Sequence, residues 1–272
     1  MALADLLDPT SSVLAFYATD LRRKREGAGI SQRAFAKQAL MAPSLLNKIE
    51  AGTRLPTKDL SALADSTFGT TDHFQRLWPL VIKYAYPAWF RPYVDLEEAA
   101  TVIRSFQVQV IPGLLQTEDY ARAVFATTRP DRDILEEQVA ARLERQHILA
   151  RDDRPELWVI LDELVLRRAH GTDAVMRAQL DALLAAADEP RTVVQVIPFS
   201  VRGHAGSEGA FSALTLDEGP GVVYVDGFLQ GQILGDPSEF KAAERRYDLL
   251  TADALSPSAS IDLIATAMKD LR

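Results

Sequence analysis

Residues 31 to 52, SQRAFAKQALMAPSLLNKIEAG, permit few folded shapes. Ser31 is a helix-capping residue type, and Phe35, Ala36 and Ala39 behind it share one face, which predicts a short helix. Leu40 and Met41 break that pattern, and Pro43 suits the first position of a second helix, where a missing N–H costs nothing. Leu45, Leu46 and Ile49 then point inward, Ser44, Asn47 and Lys48 point outward, and Gly52 stands at the usual stop. The result is two short helices across a tight turn. Its turn has no glycine, so Leu40 must either avoid a positive φ or bear modest strain.

The flanking sequence supplies three more helices. Ser11 or Ser12 caps one from Ser12 to about Ala28, with Val13, Leu14, Tyr17 and Leu21 at helical spacing and Gly27 and Gly29 as the stop. Thr57 caps KDLSALADSTF, and TTDHFQRLWPLVIKY makes a fifth. Charge is unevenly divided. Residues 1–84 carry 11 Lys/Arg against 8 Asp/Glu, a net of +3, which leaves −11 for the rest of a chain totalling −8. A basic patch on an acidic molecule suits selective binding of a polyanion, because bulk repulsion limits indiscriminate adhesion.

Over its whole length, LRRKREGAGISQRAFAKQALMAPSLLNKIEAGTRLP resembles the XRE (Cro/phage-repressor) family of helix-turn-helix DNA-binding domains. The matching residues are Leu21, Arg22 and Arg25, then Gly29-Ile30-Ser31-Gln32, Phe35-Ala36, Ile49-Glu50 and Gly52. The resemblance implies that the second short helix enters the major groove and reads bases with Pro43, Ser44, Asn47 and Lys48. Asn47 would serve adenine, Lys48 guanine, and Pro43 a thymine methyl. Gln32, Arg22, Arg54 and Lys58 would contact phosphate, and Arg25 and Glu50 would form an internal salt bridge.

After Tyr84 the texture changes. YPAWFRPYVDLE, with Pro87 and Pro92 among its aromatics, reads as a rigid hinge between an all-α domain at 1–84 and a second domain at 85–272. TVIRSFQVQV, ELWVILD, TVVQVIPF, GAFSALTLD and GVVYVDGF read as strands, the last two joined by an EGPG turn. Helices are expected in TEDYARAVFATT, DRDILEEQVAARLERQHILARDD and TDAVMRAQLDALLAAADE, then from about Pro237 to Ala254 and from Ser258 to Leu271. The order predicts an α+β domain with a mainly antiparallel sheet. These segments, IPGLLQT in particular, resemble the C-terminal domain of the WhiJ-like group of actinobacterial XRE-type regulators. That resemblance implies a transcriptional regulator, many members being encoded beside a small partner protein, and it assigns no ligand.

Catalysis has little to build on. Asp162-Glu163 ends a buried strand near His170, and VRGHAGSEG holds His204, Ser207 and Glu208, yet Asp162 suits a turn cap and Arg167 and Arg168 can pair with the acids. No P-loop, G-x-G-x-x-G or G-x-S-x-G is present, and with no cysteine and four scattered histidines no metal or cofactor is expected. The His204, Ser207 and Glu208 loop and IPGLLQT are where a ligand would be sought. No apolar run approaches the roughly 18–20 residues that span a bilayer, and MALADLLDPTSS lacks a basic n-region. The expectation is a cytoplasmic, non-enzymatic regulator that binds double-stranded DNA as a homodimer. The alternative is an antitoxin-like module that holds a small protein and uses DNA binding for autoregulation.

Overall fold

A computed structural model describes residues 7–86 and 88–271. The N-terminal reading at residues 1–6 and the helix-breaking role given to Pro87 lie outside the described residues. The chain divides into two compact units: residues up to 88 with 129–144, and residues 89–128 with 145–272.

The first unit begins with α1 (Val13–Gly27), α2 (Gln32–Gln38), α3 (Pro43–Glu50), α4 (Lys58–Phe68) and α5 (His73–Ala85). Three of these starts carry a side-chain cap. Ser12, Ser31 and Thr57 accept the N–H groups of Ala15, Ala34 and Leu60 at 3.0, 3.2 and 3.1 Å. Pro43 occupies the opening of α3, and Leu40 sits in the turn before it at φ 51. Leu40 therefore bears the left-handed strain, about 1–2 kcal/mol for a residue with a Cβ. Tyr17, Leu21, Phe35, Leu46, Ile49, Leu60 and Phe74 form the buried interior.

Asp72 makes no cap for α5; Asp65, reaching across from α4, supplies it. Its carboxylate accepts the N–H groups of Phe74 and Gln75, both at 2.9 Å, and the Thr70 hydroxyl at 2.6 Å. Burial would raise the Asp65 pKa, but these donors outweigh it and hold the group below the ordinary carboxylate range. The unit is completed from far along the chain by α8 (Arg132–Arg145), whose Val139 and Ala141 are buried, the Ala141 carbonyl accepting the Tyr86 hydroxyl.

In the second unit, β1 (Ala100–Gln107), β2 (Glu156–Asp162), β3 (Thr192–Ile197), β4 (Phe211–Leu216), β5 (Val222–Val225) and β6 (Gln232–Leu234) form one sheet in the order β3-β2-β1-β4-β5-β6. Among the described residues three pairings are antiparallel and two, β1–β2 and β2–β3, are parallel. The sheet is thus mixed and mostly antiparallel, in an α+β unit following a helical one. Both faces are covered, so the central strands are nearly continuous apolar runs. Ile103, Val159, Leu161 and Val194 face one core with α10 (Asp173–Ala187) and α12 (Pro257–Asp270). Phe106, Ile160, Ile197 and Phe211 face the other, with Tyr247 and Leu250 of α11 (Pro237–Asp253).

The segment read as a hinge is mostly α6 (Arg91–Glu98), with Pro92 in its first turn and Tyr93 and Glu97 buried. Proline is at home there, which is why its presence did not break the helix. The remaining α-helices among the described residues are α7 (Glu118–Ala126), capped by Thr117, and the short α9 (Leu164–Arg167).

Replacing Asp65 with Ala should cost about 2 kcal/mol, because the buried Phe74 N–H and the part-buried Gln75 N–H lose their acceptor. Because its pKa is lowered on folding, the Asp65 contribution is full above its unfolded pKa and fades as pH falls below it. Urea denaturation of wild type and Asp65→Ala at neutral and acid pH measures both; a gap that stays constant on acidification contradicts the assignment.

Candidate nucleic-acid interface

The exposed face of α3 presents Pro43, Ser44, Asn47 and Lys48 side by side, while Leu46, Ile49 and Glu50 are buried behind them. What fixes this face is a buried ion pair. Arg25 Nε donates to Glu50 Oε1 at 2.6 Å and its Nη2 to Oε2 at 2.9 Å, with both side chains 8% exposed or less. Arg25 Nη1 also donates to the Ile30 carbonyl at 2.8 Å, tying the loop before α2 into the same node. The Glu50 carboxylate beside it raises the Arg25 pKa further, so the guanidinium stays charged at any physiological pH.

Gln32, at the start of α2, also joins this node. Its amide nitrogen donates to Glu50 Oε2 at 2.8 Å and to Asn47 Oδ1 at 3.3 Å. The amide nitrogen that was expected on a phosphate thus bonds within the protein in this arrangement.

The residues expected on phosphate are dispersed around α3. Lys58 is exposed at the first position of α4. Arg22 pairs with Glu26 at 3.0 Å, which lowers the Glu26 pKa. Arg54, just past α3, pairs with Glu136 of α8 at 2.9 Å, each side chain 22% exposed. Sequence reasoning missed this contact, since the periodicity of α8 shows an amphipathic helix and not which unit it joins. At the residue after Glu136, burial and then the nearby Asp133 raise the Glu137 pKa.

The candidate ligand segments have different fates. In the IPGLLQT stretch, Gln116 donates to the Ile111 carbonyl at 2.7 Å, and Gln179 accepts from Thr117 N–H and donates to the Leu115 carbonyl, each at 2.7 Å. Gln146 donates to the carbonyls of Gly113 and Gln116 at 2.9 and 2.7 Å. Three glutamines thus engage four carbonyls and one N–H of the stretch. His204 packs edge-on against Phe106 and lies 3.2 Å from Asp162 Oδ2; Ser207 donates to the His204 carbonyl at 2.9 Å. Glu208 pairs with Arg246 at the rim of a cleft of about 410 Å³ with Phe211, Val223 and Leu234 in its wall. Asp162 caps Leu164 N–H at 2.7 Å, and Glu163 accepts Phe199 N–H at 2.9 Å and pairs with Arg167 at 3.0 Å. Burial lowers the His170 pKa.

Residues 90–266 match the family described as Domain of unknown function (DUF5753), and residues 21–73 match the family described as Helix-turn-helix. No curated protein and no solved structure matches the chain.

Breaking the node from either side should be costly. Glu50→Ala strands the Arg25 guanidinium and should destabilise the first unit by about 3–5 kcal/mol, whereas Asn47→Ala, on the exposed face, should stay within about 0.5 kcal/mol of wild type. Chemical denaturation of the two variants distinguishes them; equal midpoints would remove the node from the account.

Proposed function

This chain belongs to the DUF5753 family, and we propose that it is a sequence-specific transcriptional regulator of the XRE type, of the WhiJ-like actinobacterial group, acting in the cytoplasm. The match over residues 21–73 makes it a helix-turn-helix DNA-binding regulator. The observation that carries the finer reading is the face of α3, whose exposed side chains stand on the rigid Arg25–Glu50 pair. In this reading Pro43, Ser44, Asn47 and Lys48 meet base edges, and Arg22, Arg54 and Lys58 neutralise phosphates.

The domain after residue 84 is the regulatory half, and its role is binding rather than catalysis. In support, the acids that catalysis would recruit, Asp162 and Glu163, are already engaged as turn caps and, for Glu163, as an ion-pair partner. Regulation of DNA binding is supported by Glu136, which pairs with Arg54, one of the residues proposed to meet phosphate. The regulator is a homodimer on a pseudo-palindrome, because one short recognition helix touches few bases, and its half-sites lie roughly 34 Å apart. No described helix is long and apolar enough to cross a membrane.

A second reading is an antitoxin-like binder of a small protein encoded nearby. It is favoured by the loop between β5 and β6, where Phe228 is 100% and Leu229 82% exposed, an apolar tip of the kind partner proteins cover.

Selection of bound DNA from a random pool, at stated salt, tests the first reading, and Lys48→Ala should relax one position of the selected motif by about 1–3 kcal/mol. An unchanged motif rejects this placement of the recognition helix. Glu136→Gln should tighten binding roughly two- to fivefold, the worth of a partly exposed ion pair removed from competition. A monomer in sedimentation at micromolar concentration, with and without the selected DNA, would remove the dimer.

A further inference from the structure

The apolar tip between β5 and β6 is built, not loose. A Cβ on Gly227 would stand 2.3 Å from the Gln230 carbonyl oxygen, and one on Gly231 would stand 2.2 Å from the Tyr224 hydroxyl, so both approaches need glycine. The Tyr224 hydroxyl donates to Asp226 at 2.8 Å, which engages the one charged residue of the loop, and the Tyr224 ring stacks on Tyr93 at 4.0 Å. On this base Phe228 and Leu229 are held out in water, 100% and 82% exposed. Two adjacent large apolar side chains so presented mark a surface that another surface covers.

The same unit holds a recess of matching character. Along α11, Tyr247 and Leu250 fill the space against the sheet, whereas Ala242 and Ala243, a turn earlier, are too small to do so. The gap is the cleft of about 410 Å³, its wall formed by Phe211, Val223, Val225 and Leu234 and its charges, Glu208 and Arg246, paired at the rim. A volume that would take a small organic molecule has room for a phenylalanine ring with a leucine beside it. Val225 and Leu234 belong to the two strands that carry the tip, and β6 is the sheet's edge, so projection and recess are neighbours there. Phe228, fully exposed, does not fill the cleft of its own chain. A two-fold interface needs one patch that complements itself, and a projection beside a recess is such a patch. Resting on the homodimer reading above, we propose that the dimer closes by reciprocal insertion: Phe228 and Leu229 of each copy enter the cleft beneath α11 of the other. A tip already fixed in shape loses little freedom on docking.

Sedimentation of the full-length protein over a micromolar concentration series tests this pairing. Wild type should dimerise, and Phe228→Ala/Leu229→Ala should raise the dimer dissociation constant roughly 100-fold or more, the loss of an apolar anchor from both halves of the interface. Ala242→Phe, which fills the recess from an exposed position of α11, should do the same, both variants keeping the wild-type circular dichroism spectrum. The two variants mixed should dimerise where neither does alone, because the first keeps a recess and the second a tip. A tip variant that dimerises as wild type does, or a mixture that stays monomeric, overturns reciprocal insertion and leaves the homodimer standing, the tip then passing to the small-protein reading. A mass that climbs past the dimer also overturns it, because insertion that is not reciprocal propagates as an open chain. Wild type that is monomeric with and without its selected DNA overturns both.

Discussion

The first unit is organised around one guanidinium and one carboxylate withdrawn from water. Arg25 comes from α1 and Glu50 from the end of α3, so their pairing fixes the angle at which α3 is held. Removing both charges in favour of apolar side chains can leave stability intact, so such a pair is not primarily a source of stability. Its use here is directional. A charge that must be met at a fixed distance cannot slide along a helix as a leucine contact can, and the Ile30 carbonyl and the Gln32 amide take their places from it.

Much of this unit was legible because its signals are local. Ser12, Ser31, Thr57 and Pro43 announce helix starts through chemistry confined to one turn, and the structure uses each as read. Asp65 was not legible: it caps a helix eight residues downstream, in place of Asp72, which is better positioned in sequence. The same limit applies to Pro92, which looks like a breaker until the helix beginning at Arg91 is known. The missing strand, β6, has three residues, too few for any alternation to register.

The candidate site divides along the same line. Which side chains of α3 face outward follows from its 3.6-residue period, and Ser44, Asn47 and Lys48 are exposed accordingly. What those side chains touch depends on partners 15 and 82 residues away, at Gln32 for Asn47 and at Glu136 for Arg54. Residue type alone made Asn47 an adenine reader and Gln32 a phosphate clamp. Residue type alone cannot give the contacts, because an amide offers two opposite hydrogen-bonding edges and its surroundings decide which is presented.

The placement of α8 bears on how the protein is made. Because residues 129–144 belong with the first unit while their flanks belong with the second, the chain passes between the two units three times. During synthesis at roughly 5–20 residues per second, the first five helices emerge well before the helix that buries Val139 and Ala141 beside them. The N-terminal unit therefore waits, incomplete, for more than forty further residues. A fragment cut at the end of α5 would lack the same helix permanently. In this chain the boundary between domains along the sequence and the boundary between folding units are two different lines.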